Sequence, residues 1–363
     1  MCEKLGLLQH IDIEGFKSIQ KMNLDLKPLN VIIGANGAGK SNFIGAFRFL
    51  YEIVHKRMQN YIAEKGGAEK FLYFGSRTTQ QIKIKIDFTC NTYKASFKPA
   101  EPDTLLFASE NACYENNCSS YFSNYNGKES KLDETGEFKV VYTKRYLEGF
   151  RVYHFHDTST TSALKKRASK NDSLWLRQDG SNLAAVLYRL KKNEDLYHYY
   201  KKIVDAVQIV APFFQDFILE PEENSLFLRW RHKGTDSYFD VTDFSDGTLR
   251  FIALATLFLA PLNMIPDTIL IDEPELGLHP LALKILAEMM QAVARQGKQV
   301  IATTQSVTLI NQFQPEDIIV ADKKDNQSVF RRLDEKEIKD WLDEYALGEI
   351  WEKDIIGGTP DEF

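Results

Sequence analysis

Apolar and polar residues alternate at two places in the first part of the chain. The stretch LLQHIDIEGFKSIQKMNLDLKPLNVIIG alternates and then ends in a continuous apolar run before Gly34, as strands do when they reach a buried sheet. In QQIKIKIDFTC every second residue from Ile82 to Phe88 is apolar. This period of two predicts a strand that buries one face and exposes the other.

Helical spacing and turn residues organise the next segments. The stretch NFIGAFRFLYEIVHKRMQNYIAEKGG predicts one helix that Gly66 and Gly67 close. Residues 109–136 are rich in Asn, Ser and Gly, which predicts long surface loops, whereas residues 172–210 carry the spacing of helices. The stretch FILEPEENSLFLRWRHKG predicts a hairpin.

Helices and strands alternate from residue 244 onward. A helix comes first, then the strand TILIDE, a helix from Pro280 to Gln296, and the strand QVIATT. Such alternation predicts parallel strands joined by crossover helices, and therefore an α/β fold. The chain has no long heptad run, which argues against a coiled coil.

Composition narrows the class of protein. With 363 residues, 44% of them hydrophobic, the chain can form one large or two ordinary globular domains. It has no apolar run of membrane-spanning length and no secretory leader, so we expect a cytoplasmic protein with no membrane partner. The net charge of −6 argues against a wholly basic nucleic-acid binder. A local groove for DNA stays open at the clusters LKKRASK and RWRHK, although such clusters are more often solvated faces.

Cysteine and histidine offer two candidate metal sites, and we favour a structural explanation for both. The cytosol would keep the four cysteines reduced, so we expect Cys113 and Cys118 in NACYENNC to be free thiols in a polar loop. Zinc is disfavoured because no second cysteine pair closes a tetrahedral site. His154 and His156 are expected to share the polar face of a strand.

The sequence GANGAGKS, residues 34–41, matches the phosphate-binding pattern G-x-x-x-x-G-K-[ST] between an apolar strand and a helix. Glycines there let backbone N–H groups turn toward phosphate, and the helix N-terminus adds a favourable dipole. Lys40 is expected to hold the β- and γ-phosphates of ATP, and Ser41 to bind Mg²⁺. The expected contacts with the nucleotide from this region are Asn36, Gly37, Ala38, Gly39, Lys40, Ser41 and Asn42.

Two carboxylates end the apolar strand in TILIDEPELGLHP. If this strand runs parallel to the one before the P-loop, Asp272 lies beside Ser41 and completes the magnesium shell. Glu273, one residue on, can orient and deprotonate the attacking water. A buried acidic pair without such a task would destabilise the fold.

The segment FSDGTLR, residues 244–250, opens an apolar helix with polar residues. Ser245 or Asp246 suits a helix N-cap by itself. Together with the two motifs above, however, the segment resembles the signature of the ABC ATPase superfamily, in which a Ser-x-Gly helix start meets the γ-phosphate held by the opposite subunit. The resemblance implies that Ser245 donates its hydroxyl to that phosphate and that Gly247 lets the backbone approach it. Capping and phosphate sensing are compatible.

The motifs most specifically resemble the SMC, RecF and OLD branch of the ABC ATPases, on the strength of IDIEGFKSI, GANGAGKSN, FSDGTLR and IDEPELGLHP. The resemblance implies that Lys17 and Ser18 lie at the edge of the nucleotide site, and that residues 275–279 cross to the other subunit. It also implies an α/β ABC-ATPase head, which has a mixed P-loop sheet flanked by helices, an N-terminal antiparallel sheet and an inserted α+β subdomain.

The resemblance divides the chain into three parts. Residues 1–65 are expected to form the N-terminal half of the head with the P-loop, and residues 241–363 the C-terminal half with the signature segment, the acidic strand and the tail. Residues 66–240 are expected to be an insertion of strands and helices where SMC proteins have a coiled-coil arm. Trp351 and its tail are expected either to dock a partner or to pack back on the head.

One position departs from the family pattern. The strand QVIATTQS ends in Thr-Gln-Ser, whereas the family has Thr-His-Ser, whose histidine senses the γ-phosphate. Gln305 can hydrogen-bond to phosphate or water but cannot carry a proton, so turnover is expected to be slow. The expected catalytic residues are therefore Glu273, Lys40 and Gln305. The glutamine of the family's Q-loop stays open among Gln80, Gln81 and Gln178.

The resemblance implies an ATPase that dimerises around two nucleotides. We expect a switch that controls a separate nuclease or Toprim-type effector in DNA metabolism or anti-phage defence, because OLD proteins carry that effector after the head and this chain has little sequence there. One alternative is an ATP-dependent scaffold, which Glu273 opposes and Gln305 supports. The other is a transporter ATPase subunit, which the long insertion opposes.

Overall fold

A computed structural model describes residues 6–115, 117–118 and 126–359 of the chain. The chain divides into two units. The first contains residues 1–152, 267–270 and 297–363, and the second contains residues 153–266 and 271–296. None of the helices in the described ranges has the length and hydrophobicity needed to cross a bilayer.

The first unit begins with the strands that the alternating pattern predicts. In chain order the elements are β1 (Leu8–Phe16), β2 (Ile19–Asp25), β3 (Leu29–Ile33), α1 (Lys40–Val54), α2 (Met58–Glu64), β4 (Ile82–Phe88), β5 (Asn91–Ala100), β6 (Thr104–Tyr114), β7 (Asn117–Cys118), α3 (Phe138–Glu148) and β8 (Phe150–Tyr153). An antiparallel sheet has the order β2-β1-β4-β5-β6-β7. Its apolar face joins α1 in one buried core, in which Phe49 of α1 contacts Phe16 and Phe97.

The predicted single helix after the P-loop is wrong, because it is divided into α1 and α2. Lys56 takes a left-handed φ of 54° between them. The carboxylate of Glu129 accepts hydrogen bonds from the backbone N–H groups of Met58 and Gln59 at 3.0 Å, which caps the first turn of α2. A cap supplied from a distant residue leaves no periodic signal in the sequence. Gly66 and Gly67 end α2 as expected, with φ near 90°.

The prediction of surface loops over residues 109–136 is wrong for the end of β6, which continues to Tyr114 and pairs with β5. The buried Glu110 explains why polar composition misled the prediction. Its carboxylate accepts hydrogen bonds from the Tyr93 hydroxyl, the Ser130 hydroxyl and the Lys131 N–H. A polar residue satisfied in this way can occupy the interior of a sheet. Residue 116 and residues 119–125 of the predicted loops lie outside the described residues.

The expectation of free thiols at Cys113 and Cys118 is also wrong. The two residues face each other across the β6–β7 hairpin and form a disulfide. The five-residue spacing that disfavours paired zinc ligands is the spacing of a short hairpin, whose register brings the two sulfur atoms together.

The second unit contains the helical segment and the hairpin that the pattern predicts. Its elements, with the first-unit part of β14 included, are β9 (Ala168–Ser169), α4 (Leu183–Lys192), α5 (Tyr197–Val210), β10 (Phe214–Ile218), β11 (Ser225–Leu226), β12 (Arg229–His232), β13 (Tyr238–Asp240), α6 (Asp246–Leu259), β14 (Thr268–Asp272) and α7 (Pro280–Arg295). The helices α4, α5, α6 and α7 pack on one another. The strands β10 and β12 pair antiparallel as predicted. His154 and His156 are not on a strand, because β8 ends at Tyr153.

The chain then returns to the first unit and completes the P-loop sheet. The remaining elements are β15 (Gln299–Thr304), α8 (Val307–Ile310), β16 (Ile318–Lys324), β17 (Gln327–Arg332), α9 (Glu335–Leu342) and α10 (Leu347–Glu352). This sheet has the order β17-β16-β3-β15-β14-β8, and β3 pairs parallel with both β15 and β16. The mixed P-loop sheet, its flanking helices and the antiparallel sheet confirm the predicted fold class. The three-part division at residues 65 and 240 stays a prediction.

Candidate nucleotide site and signature segment

The P-loop turns sharply between β3 and α1. All five residues of β3 are buried, which holds the start of the loop at the end of the sheet. Gly39 has a φ of 106°, and a Cβ atom there would lie 2.1 Å from the Ser328 hydroxyl oxygen, so only glycine fits. At Gly37, by contrast, an added Cβ would meet no atom of the described residues within 4 Å. The loop therefore has the glycine-dependent turn and the open side that a phosphate cradle requires.

Lys40 lies inside this loop and is only 5% exposed. Its ammonium donates to the carbonyl oxygens of Gly34 at 2.6 Å and Ala35 at 2.9 Å. A buried ammonium needs such partners, since desolvation of an unpaired charge is costly. Lys40 is thus held at the cradle, and the residues present fit a phosphate group. Ser41 follows it on the exposed side of the first turn of α1.

Distant residues brace the loop. The Ser328 hydroxyl on β17 donates to the Ser18 hydroxyl at 2.7 Å, and Ser18 also accepts a hydrogen bond from the Asn42 side chain at 2.7 Å. The Ala35 N–H donates to the Gly358 carbonyl at 2.6 Å. The resemblance pointed to Ser18, but sequence reasoning missed Ser328 and Gly358. No spacing rule links a serine on a hairpin or a tail glycine to a P-loop.

Lys17 is placed beside α1 rather than in the loop itself. Its ammonium lies 5.6 Å from the centre of the Phe16 ring and 5.7 Å from that of Phe71. Burial lowers the pKa of Lys17, and the positive charges of Lys65 and Arg48 lower it further. The expected role of Lys17 in nucleotide binding stays a prediction.

Gln305 is brought next to the P-loop by the parallel pairing of β15 with β3. Its side-chain amide donates to the Asn36 side-chain oxygen at 2.9 Å. The predicted sensor position and the predicted nucleotide-contact residue are therefore neighbours in the first unit. Gln80, Gln81 and Gln178 all stay open as Q-loop residues: the Gln80 amide donates to the Ser76 carbonyl, and the Gln178 carbonyl accepts from the His154 N–H.

The acidic pair lies at the end of β14, within the second unit. Asp272 and Glu273 are both half-buried. Glu273 has a φ of 42°, in the left-handed region that residues other than glycine rarely adopt. The His156 Nε2 atom lies 2.6 Å from the Asp272 carbonyl oxygen. Because a carbonyl oxygen only accepts, the imidazole must donate this hydrogen bond. Sequence reasoning treated His156 as part of a polar strand face and missed this contact.

The signature segment starts α6 in the same unit. The exposed Ser245 is the N-cap, and its hydroxyl accepts from the Thr248 N–H at 3.2 Å. A Cβ atom on Gly247 would lie 2.1 Å from the Gly277 carbonyl oxygen, so the segment packs against residues 275–279 through glycine. The rest of α6 is largely buried, which leaves the polar first turn as its accessible part.

The other candidate features of the sequence have structural roles. Trp351 is 7% exposed, so the tail packs back on the first unit at this position. Acidic side chains accompany the basic clusters: Arg167 pairs with Glu222, and Arg229 pairs with Glu222 and Asp240. These pairs agree with solvated faces as the explanation.

A group of possible metal ligands occurs in the first unit, where His10, Asp12 and Asp87 place ligand-type atoms within 4.8 Å of one another. The Lys85 ammonium lies 2.5 Å from the Asp87 carboxylate and 3.5 Å from that of Asp12. Burial lowers the pKa of His10, but the hydrogen bonds and charges of Asp25 and Asp12 raise it to a value above the ordinary one. The Lys85 ammonium and the His10 imidazole already lie against these carboxylates, and we assign no metal to this group.

Comparison with known proteins gives one family match. Residues 29–311 match the family described as "AAA domain, putative AbiEii toxin, Type IV TA system". This range includes the P-loop, the signature segment, the acidic pair and Gln305. It covers well over half of the chain.

Two curated relatives match shorter stretches. The DNA replication and repair protein RecF of Renibacterium salmoninarum is 30% identical over 118 residues, which are 28% of this chain and 30% of RecF. Endonuclease GajA of Bacillus cereus is 32% identical over 85 residues, which are 23% of this chain and 13% of GajA. The chain therefore spans less than a third of each of these relatives.

Two solved structures share the fold. An SMC head bound to the C-winged-helix domain of ScpA has a TM-score of 0.58 and 14% identity, with 92% of this chain and 99% of that chain covered. An SMC head with an extended coiled coil, bound to a ScpA domain derived from Pyrococcus furiosus, has a TM-score of 0.56 and 15% identity, with 93% and 98% covered. The chain therefore belongs to the "AAA domain, putative AbiEii toxin, Type IV TA system" family, and its partial similarity to RecF and GajA and its SMC-head fold agree with the predicted ABC-type ATPase of the SMC, RecF and OLD branch.

Proposed function

We propose that this protein binds ATP with Mg²⁺, dimerises around two nucleotides and hydrolyses them slowly. The observation that carries the proposal is the P-loop cradle. Its turn depends on Gly39, its open side is at Gly37, and Lys40 is held at its base. These are the features that backbone recognition of phosphate requires.

Each site residue has a role in this proposal. Residues 36–42 hold the phosphates through N–H groups and side chains, with Lys40 on the β- and γ-phosphates. Ser41 and Asp272 would hold Mg²⁺, which when bound neutralises charge on the phosphate oxygens. Glu273 takes a proton from the attacking water, and Gln305 orients that water or the γ-phosphate from its place beside Asn36.

The signature segment supports the dimer. Ser245 is exposed at the N-terminus of a long helix, and the nearby Gly247 packs closely against the Gly277 carbonyl of the same unit. A helix N-terminus favours an anion, because its first N–H groups have no partner within the helix. In the proposed dimer the γ-phosphate of the partner's nucleotide meets this segment, so neither site is complete in a monomer.

We further propose that the dimer is a switch for a separate nuclease or Toprim-type effector in DNA metabolism or anti-phage defence. The support is the partial similarity to RecF, named for DNA replication and repair, and to GajA, named as an endonuclease. A second candidate is an ATP-dependent scaffold with little hydrolysis. The observation that favours it is Gln305, which lies beside the P-loop where the family has a proton-carrying histidine.

Light scattering and phosphate release on the wild-type chain test the proposal. ATP with Mg²⁺ is expected to shift the chain from monomer to dimer, and ADP is expected to leave it monomeric. Slow phosphate release with a transient dimer supports the hydrolysing switch, whereas a lasting dimer without release supports the scaffold. Absence of ATP binding by calorimetric titration would contradict both. Co-purification with the product of the neighbouring gene, in ATP and in ADP, tests the effector.

A further inference from the structure

The backbone of Glu273 is in a conformation that its surroundings must hold. Its φ of 42° lies in the left-handed region, and it has a Cβ atom that makes this region unfavourable. Strain of this kind persists only where neighbouring contacts over-determine the geometry. The contacts around residues 272–276 therefore determine where the Glu273 carboxylate points.

His156 makes the most direct of these contacts. Its Nε2–H donates to the Asp272 carbonyl at 2.6 Å. That carbonyl and the backbone nitrogen of Glu273 belong to one planar peptide group. A hydrogen bond to the carbonyl fixes the orientation of the plane, and it thereby restrains rotation about the N–Cα bond of Glu273. A side chain at residue 156 thus restrains the peptide group that precedes Glu273.

Arg250 of the signature segment holds His156 in turn. Its guanidinium donates to the Phe155 carbonyl at 3.1 Å, the His156 carbonyl at 2.7 Å and the Leu276 carbonyl at 2.8 Å. One planar group therefore joins the segment that carries His156 to the backbone just after the acidic pair, with several donors in a fixed geometry. The Arg250 side chain thus joins the helix that starts at Ser245 to residues 155–156 and to Leu276.

Lys165 adds a second link to the start of the same helix. Its ammonium donates to the Thr158 carbonyl at 2.5 Å and lies 3.7 Å from the Asp246 carboxylate. The Thr158 hydroxyl accepts from Arg250 at 3.3 Å. Residues 155–158 therefore contact the first two turns of α6 through Arg250 and Lys165, and the end of β14 through His156. All of these contacts lie within the second unit.

We propose that His156 is a positioning residue for Glu273 and that Arg250 ties this pair to the signature segment. The inference rests on the proposed ATP hydrolysis and names a residue outside the recognised motifs. In the proposed dimer the signature segment meets the nucleotide of the partner, so a shift of α6 on closure is transmitted through Arg250 and His156 to Glu273. Each subunit thus aligns its own general base when it engages the partner's nucleotide.

The matched variants are His156→Phe, which keeps a ring but has no donor, and His156→Gln, whose amide can donate to the same carbonyl. We expect His156→Phe to lower kcat by about 10- to 100-fold, because a general base displaced by about 1 Å loses that order of rate. ATP affinity measured by calorimetry is expected to stay at the wild-type value, since the P-loop is in the other unit. His156→Gln is expected to restore at least half of the decrease in log kcat that His156→Phe causes. The control is His198→Phe, an exposed histidine on α5 of the same unit, with no expected change.

A double-mutant cycle separates positioning from a general loss of structure. In a Glu273→Gln background, adding His156→Phe is expected to lower kcat by less than about 2-fold, because the base that His156 positions is already absent. Additive losses in the cycle, or equal losses in His156→Phe and His156→Gln, would overturn the proposal. If His156→Phe fails to fold by thermal melting, His156→Leu replaces it in the same cycle.

Arg250→Lys tests the link to the signature segment, because lysine keeps the charge but loses the fork of donors. We expect kcat to fall by about 10-fold without a change in ATP affinity, and His156→Phe to add little to it. Wild-type kcat in Arg250→Lys would overturn the link. A wild-type chain that binds no ATP, or a Glu273→Gln variant with normal turnover, would instead refute the proposed function and not the positioning alone.

Discussion

The P-loop of the first unit and the acidic end of β14 in the second unit are built in different ways. Residues 34–41 supply the groups of the cradle from one short segment, with glycine turns, backbone N–H groups and one lysine, although Ser18, Ser328 and Gly358 brace it. The backbone before Glu273 is held from a distance, because His156, 116 residues before Asp272 along the chain, contacts the Asp272 carbonyl and Arg250 contacts the His156 carbonyl. The comparison indicates that a short segment of sequence determines the geometry of a loop built from backbone groups. The backbone around a strained residue, in contrast, depends on contacts with residues far along the chain.

If the comparison is correct, substitutions in the two regions should separate ATP binding from turnover. Changes in the P-loop should remove affinity, because phosphate is held there. Changes around Glu273 and the signature segment should spare affinity and remove hydrolysis or dimerisation. The following variants test this separation, from the largest expected effect to the smallest.

Lys40→Ala is expected to abolish detectable ATP binding without unfolding the chain. Lys40 is expected to contribute two charge-assisted hydrogen bonds to phosphate, each worth about 1.5–3 kcal/mol, so affinity should fall by at least about 100-fold. Calorimetric titration with ATP measures this, and thermal melting checks the fold. Lys94→Ala, at an exposed position of β5 in the antiparallel sheet, is the control. Unchanged affinity in Lys40→Ala would remove the P-loop from the nucleotide site.

Glu273→Gln is expected to keep ATP and Mg²⁺ bound but to slow hydrolysis by about 100-fold or more, because the water loses its general base. The ATP-bound dimer should then accumulate, since uncleaved nucleotide held between the two subunits makes additional contacts in the associated state and stabilises it by mass action. Phosphate release and light scattering measure the two effects. A variant that stays monomeric with ATP and hydrolyses at the wild-type rate would show that Glu273 is not the base.

Ser245→Arg is expected to leave ATP binding to the monomer intact and to prevent both the ATP-driven dimer and hydrolysis. The added side chain would occupy the exposed first turn of α6, where the partner's phosphate is expected. Light scattering in ATP checks the oligomeric state. Ser237→Arg, in the loop before β13, is a control for added charge. Normal dimers in Ser245→Arg would reduce the signature segment to a capped helix.

Gln305→His is expected to raise the rate of phosphate release several-fold, because imidazole can carry a proton that the glutamine amide cannot. ATP affinity should stay near the wild-type value, since the P-loop itself is unchanged. Single-turnover phosphate release is the measurement. An unchanged rate would mean that the missing histidine does not limit turnover.

Ser328→Ala is expected to weaken ATP binding only a few-fold. The substitution removes the hydrogen bond to Ser18, and a neutral hydrogen bond contributes about 0.5–1.5 kcal/mol. Titration calorimetry on this variant measures how far the cradle depends on distant braces. A loss as large as that of Lys40→Ala would show that the P-loop is not a local structure, and the contrast with the second unit would be wrong.

The sequence by itself determined the elements whose signals are local. The period of two predicts β1, β2 and β4, and the alternation of helices with strands after residue 244 predicts the parallel part of the P-loop sheet, because side-chain direction follows backbone period. Glycine, lysine and carboxylate at fixed spacing identify the P-loop and the acidic pair, since those residue types have few other uses in that context. The family follows from these motifs, and the match over residues 29–311 confirms it.

Only the tertiary structure decided how distant residues meet. The helix after the P-loop is interrupted where the Glu129 carboxylate caps the first turn of α2. The strand β6 extends further than predicted because hydrogen bonds satisfy Glu110 inside the sheet. The tertiary structure also placed His156 against the Asp272 carbonyl. In each case hydrogen bonds join residues far apart in the chain, and such bonds leave neither a period nor a spacing that a single sequence can reveal.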